Sequence, residues 1–80
     1  MEIAVFGPGC ARCAEAEKLV RNVVAEKGVA ATVTKVTDFK AMMAAGVMST
    51  PAVSANGKVM VTGRVPSREE VARWIDEAAS

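Results

Sequence analysis

Glu2-Ile3-Ala4-Val5-Phe6-Gly7-Pro8-Gly9-Cys10-Ala11-Arg12-Cys13 is the stretch on which the reading of this chain turns. Residues 2 to 6 form a short apolar run closed by Gly7-Pro8-Gly9, which predicts a buried strand running into a loop. From Ala11 to Lys27 there is neither glycine nor proline, and Leu19, Val20, Val23 and Val24 recur at helical spacing, so a helix follows, with Gly28 as its terminator. Cys10 and Cys13 therefore stand where a strand hands over to a helix.

That placement gives the cysteine pair its meaning. A disulfide closing a loop of about four residues would contribute only about 2 kcal/mol by chain entropy, so a purely structural staple there does little. At a helix N-terminus, by contrast, unpaired N–H groups and the positive end of the dipole favour an anion, and a sulfur becomes a thiolate more readily. A pKa lowered from about 8.5 to about 7 raises the thiolate fraction at neutral pH from a few per cent to about half. This makes Cys10 the attacking sulfur, with Cys13, one turn inside the helix, resolving a mixed disulfide from the same face. Arg12 adds positive charge nearby, although Glu15 and Glu17 oppose it and a solvated helix residue is the simpler reading. Two small buried hydrophobes remain the competing account of the pair.

Beyond the first helix, residues 30 to 36 are rich in β-branched side chains and suit a second strand. Asp38 is placed to cap a short helix through Phe39, Met42 and Met43, ended by Gly46. Two apolar runs, 52 to 55 and 58 to 62, flank Asn56-Gly57, a dipeptide suited to the positive φ angles of a type I′ hairpin. Ser67 with Glu70 forms a capping box ahead of Val71, Trp74, Ile75 and Ala78, so the chain closes with a helix. The expected architecture is α/β, β-α-β-α-β-β-α, over residues 1–80 as one domain. The crossover rule makes the first strand pair parallel and the hairpin antiparallel, which gives a mixed four-stranded sheet with helices on both faces. Phe6, Phe39 and Trp74 read as core.

Composition removes several function classes. Ten basic and nine acidic side chains leave a net charge of +1 with no run of one sign, unlike a nucleic-acid surface. No apolar stretch nears the roughly 20 residues of a membrane span, and the first strand-like run begins at Glu2, so a cytoplasmic address is expected, with no membrane partner. Histidine is absent, which excludes a Ser-His-Asp set, and Gly7-Pro8-Gly9 lacks the Lys-Ser/Thr of a phosphate loop. No cofactor is implied. The alternative class is carriage of a soft metal, copper(I) or zinc, on the same cysteine pair. With two cysteines and no histidine the chain alone cannot close a four-ligand zinc site, and Met42, Met43, Met48 and Met60 read as gap-filling core before thioether ligands. Thr50-Pro51, just ahead of a strand, reads by base rate as an ordinary trans proline, since only about 5% of such bonds in folded proteins are cis.

Four segments together resemble the thioredoxin superfamily, and more narrowly its short glutaredoxin-like "redox-active disulfide" members from archaea and bacteria. They are Gly7-Pro8-Gly9-Cys10-Ala11-Arg12-Cys13, Thr50-Pro51-Ala52-Val53, Asn56-Gly57-Lys58-Val59 and Gly63-Arg64-Val65-Pro66-Ser67. The resemblance implies thiol–disulfide exchange with protein disulfide substrates, Cys10 as nucleophile and Cys13 as resolving thiol. It also implies a cis bond before Pro51, with the Thr50 backbone facing the cysteines and pairing with an extended substrate segment. Gly9 stands where thioredoxins carry an aromatic residue, Ala11-Arg12 replaces their Gly-Pro, and the Pro-Tyr insert of glutaredoxins is missing. A flavoprotein of the thioredoxin-reductase kind is then the expected electron donor.

Overall fold

A computed structural model of the protein describes residues 1–9 and 11–79. Seven elements follow the expected order: β1 (Glu2–Phe6), α1 (Ala11–Lys27), β2 (Thr32–Val36), α2 (Phe39–Ala44), β3 (Ala52–Ala55), β4 (Lys58–Thr62) and α3 (Arg68–Ala79). The second strand is shorter than its composition suggested, because Thr32 is the first residue that pairs with β1, opposite Glu2.

The strands lie in the order β2-β1-β3-β4. β1 runs parallel to β2 and antiparallel to β3, and β3 runs antiparallel to β4. The hairpin turns at Asn56 and Gly57, both at positive φ (51° and 84°), as a type I′ turn requires. Asn56 also ties the turn to β1, accepting from the Glu2 N–H at 2.8 Å through Oδ1 and donating its own N–H to the Glu2 carbonyl at 2.7 Å. A register shift between Val53 and Ser54 places Met60 as an extra residue on β4. Met60 and Val61 consequently both reach the α1/α3 side of the sheet.

Alternation along the strands divides the core in two. Ile3, Val5, Val53 and Val61 pack with Ala16, Val20 and Val23 of α1 and Val71, Trp74 and Ile75 of α3. On the opposite face Phe6 and Ala52 meet Met42 of α2 and Val47. The stripe of α3 fades at its C-terminal end, where Ala78 is exposed.

Phe39 is not core: it is 69% exposed. α2 is a helix of six residues that reaches the sheet through Met42, near its C-terminal end, and Phe39 at its first position lies beyond that contact. Met43 and Met48, 76% and 93% exposed, are likewise not gap-fillers, whereas Met42 is. Both α2 and α3 are capped by side chains. Asp38 accepts from the Lys40 N–H at 3.1 Å, and in the capping box of α3 the Glu70 N–H donates to Ser67 Oγ at 3.2 Å while the Ser67 N–H donates to Glu70 Oε1 at 2.9 Å.

Candidate active site

The C-terminal end of β1 and the N-terminal end of β3 gather the candidate residues. Phe6 pairs with Ala52, so the next residues outward, Gly7 and Pro51, stand across from each other at the same end of the sheet. The Gly7 N–H donates to the Val36 carbonyl at 2.9 Å, prolonging the β1–β2 ladder by one step. The Gly63 N–H donates to the Pro51 carbonyl at 2.9 Å, doing the same for β3 and β4. The ends of all four strands are thereby held side by side.

Cys13 lies in the first turn of α1 and is 1% exposed. Its side chain is seated against Gly7 so closely that a Cβ added there would fall 2.2 Å from Sγ and 2.7 Å from Cβ of Cys13. Arg12, in the same turn, points to solvent. No acidic side chain occupies that turn. A helix start normally gains from a carboxylate and loses from a cation, so the turn leaves its positive end without compensation from its own residues. The expectation that Cys10 carries the attacking sulfur falls outside the described residues.

The segment that delivers Pro51 is fixed from α2. The Gly46 N–H donates to the Met43 carbonyl at 3.0 Å and the Val47 N–H to the Met42 carbonyl at 2.9 Å, with Gly46 at φ 80°. This is a Schellman closure, and its apolar partners Met42 and Val47 are buried in one cluster. From there the chain passes through exposed Met48, Ser49 and Thr50 to buried Pro51, and the Thr50–Pro51 bond is cis. Ser49 lies against Gly63, where an added Cβ would meet its Cβ at 3.4 Å.

Gly63 in turn leads to an ion pair that anchors α3. Arg64 donates two hydrogen bonds to Glu70, at 2.7 and 2.6 Å. The Arg64 guanidinium, together with the Ser67 backbone N–H, holds the Glu70 carboxyl down at about 2, and Glu70 raises Arg64 in return. The two long helices are joined on the surface by Arg68–Glu26 and by Lys27–Asp76 at 2.5 Å, and Arg68 lowers the Glu26 carboxyl through its hydrogen bonds.

Residues 1–76 match the family model described as "Thioredoxin domain". The chain belongs to the thioredoxin family. It is similar to a protein named thioredoxin from Methanothermobacter thermautotrophicus, 35% identical over 71 residues, which covers 89% of this chain and 92% of the relative. It is also similar to a thioredoxin from Methanocaldococcus jannaschii, 36% identical over 69 residues, covering 86% of this chain and 79% of the relative. Membership places the chain among thiol–disulfide oxidoreductases with a thioredoxin-like fold. Among the described residues no group of three or more His, Cys, Asp or Glu side chains is arranged to hold a metal ion, and no helix is long and apolar enough to cross a membrane.

In the sequence Gly7 reads as loop punctuation, yet it is the residue against which the Cys13 sulfur rests. A glycine in a Gly-Pro-Gly run looks like a turn signal, and only the packing of α1 onto β1 distinguishes it. Gly63 reads in the sequence as one residue of a longer segment, and the hydrogen bond that ties it to Pro51 follows only from the alignment of β3 with β4.

Proposed function

We propose that the chain reduces disulfides in protein substrates through Cys10 and Cys13. The Cys10 thiolate attacks one sulfur of the substrate disulfide and expels the other as a thiolate, leaving a mixed disulfide. Cys13 then loses its proton and attacks the Cys10 sulfur, which forms the Cys10–Cys13 bond and releases the second substrate thiolate. Two electrons pass from the cysteine pair to the substrate. A thioredoxin-reductase-like flavoprotein returns them in the cytoplasm.

The observation that carries this reading is the seat of Cys13: a sulfur shielded from solvent in the first turn of α1, at the sheet end where Pro51 stands, in a chain of the thioredoxin family. A shielded thiol meets a disulfide delivered to its neighbour and not one arriving from bulk solvent, which suits the resolving step. Exposed Thr50, just ahead of Pro51, would lend its backbone to an extended substrate segment, which pairs as an added strand does. Arg12 adds a positive charge in the turn that carries Cys13 and favours the thiolate modestly, because it is solvated.

Insulin reduction driven by dithiothreitol, or by a thioredoxin reductase, tests the reading. Both Cys10→Ser and Cys13→Ser are expected to lose turnover, with only Cys13→Ser accumulating a mixed disulfide. Unchanged turnover in either variant rejects the mechanism. Tight stoichiometric uptake of copper(I) or zinc by the wild type, without any exchange activity, would instead assign the cysteines to soft-metal carriage.

A further inference from the structure

We propose that Gly7 is a positioning residue for disulfide exchange: by carrying no side chain it sets the depth at which the Cys13 sulfur sits against the end of β1. The inference rests on the reading of Cys13 as the resolving thiol. Gly7 is buried, and its backbone does not lie in the positive-φ region that would by itself demand glycine, unlike Gly9 at φ 97°. Conformational freedom therefore does not explain it. Space does, because a Cβ at this position would lie 2.2 Å from the Cys13 sulfur.

Turning the Cys13 side chain about χ1 would move the sulfur away, but it leaves the second conflict, Cβ to Cβ at 2.7 Å, untouched. Nor can Gly7 retreat easily, since its N–H is bound to the Val36 carbonyl. The first turn of α1 has to give way, carrying Cys13 outward while Ala16, Val20 and Val23 hold the rest of the helix in the core. Resolution requires Cys13 to approach the Cys10 sulfur along the axis of the bond being broken. A displacement of about 1 Å in such an approach can cost on the order of 100-fold in rate.

The test is Gly7→Ala, measured beside Val71→Ala, a core change on α3 that lowers stability without touching this contact. Gly7→Ala is expected to slow turnover by roughly 100-fold, to accumulate the mixed disulfide, and to speed alkylation of Cys13 by iodoacetamide in a Cys10→Ser background. Val71→Ala should lower the melting temperature and leave all three readouts at wild-type values. Wild-type turnover and unchanged Cys13 alkylation in folded Gly7→Ala would overturn the proposal. Should Gly7→Ala not fold, the exchange pair Gly7→Ala with Cys13→Gly keeps one Cβ in the shared volume. Folding restored in that double variant locates the conflict between the two side chains, and failure to restore it rejects the assignment. If instead Cys13→Ser turns over normally, it is the exchange mechanism that falls, independently of Gly7.

Discussion

Ile3, Val5 and Val53 turn one face of the sheet toward α1 and α3, where Val20, Val71 and Ile75 close over them at 3% exposure or less. Ala4, Phe6 and Ala52 turn the other face toward α2, where Met42 and Val47 meet them and Phe39, Met43 and Met48 stay in water. The first face is deep because two helices of 17 and 12 residues lie across it, and the second is shallow because six residues must do the same work. Packing energy scales with the apolar area removed from water, so stability is concentrated on the α1/α3 side. The shallow side leads directly to Thr50 and the cis-bonded Pro51, the position at which the proposed function admits a substrate. A chain of this size holds its fold from one face and leaves the approach to its candidate site thinly covered.

Truncation on the two faces tests that contrast, and the largest effect is expected on the deep one. Ile75→Ala, which empties a site 1% exposed between α3 and the sheet, should cost about 3–4 kcal/mol. Met42→Ala on the shallow face should cost about 2 kcal/mol, since its surroundings can collapse into the space. Urea unfolding with an unchanged slope for both variants would measure the difference, and equal midpoints would show that the faces contribute alike.

The next effect comes from the end of the molecule where the sheet meets α3. Glu70 caps that helix and pairs with Arg64, and its carboxyl titrates at about 2 in the folded chain against 4.5 when unperturbed. Its folded value lies below its unfolded one, so the contribution is complete above about 4.5 and disappears as the pH falls toward 2. Glu70→Gln is expected to lose about 1 kcal/mol at neutral pH, and to narrow its deficit as the wild type is acidified through that window. Melting curves at a series of pH values would register this, and a deficit independent of pH would assign the cost to the cap geometry alone.

Most of the fold was legible because each element announces itself locally. Glycines at 28 and 46 close two helices, Asn56-Gly57 fixes the hairpin, and Ser67 with Glu70 opens α3, all through contacts a few residues apart. What escaped depends on distance in sequence. The exposure of Phe39 follows from how little of α2 touches the sheet, and helical spacing cannot report that. The bulge at Met60 comes from register with β3, and the closeness of Gly7 to Cys13 from the way α1 folds back on β1. At the site, Cys13 and Pro51 could be chosen from motif and resemblance, whereas the links through Gly63 and Arg64 needed the strands to be aligned first.

Methionine offers the finest comparison, since the same side chain occurs on both sides of the Schellman closure. Met42 is 3% exposed and Met48 is 93% exposed, so the thioether that fills a gap in one place contributes almost no buried area in the other. Met48→Ala should therefore change stability by no more than about 0.5 kcal/mol, the usual range for a surface position. The helix closure should survive as well, because it is made by the Gly46 and Val47 N–H groups and by the Val47 side chain. A loss as large as that of Met42→Ala would mean that the segment before Pro51 is held by Met48 and not by Val47, and the shallow face would then extend further toward the site than its buried residues indicate.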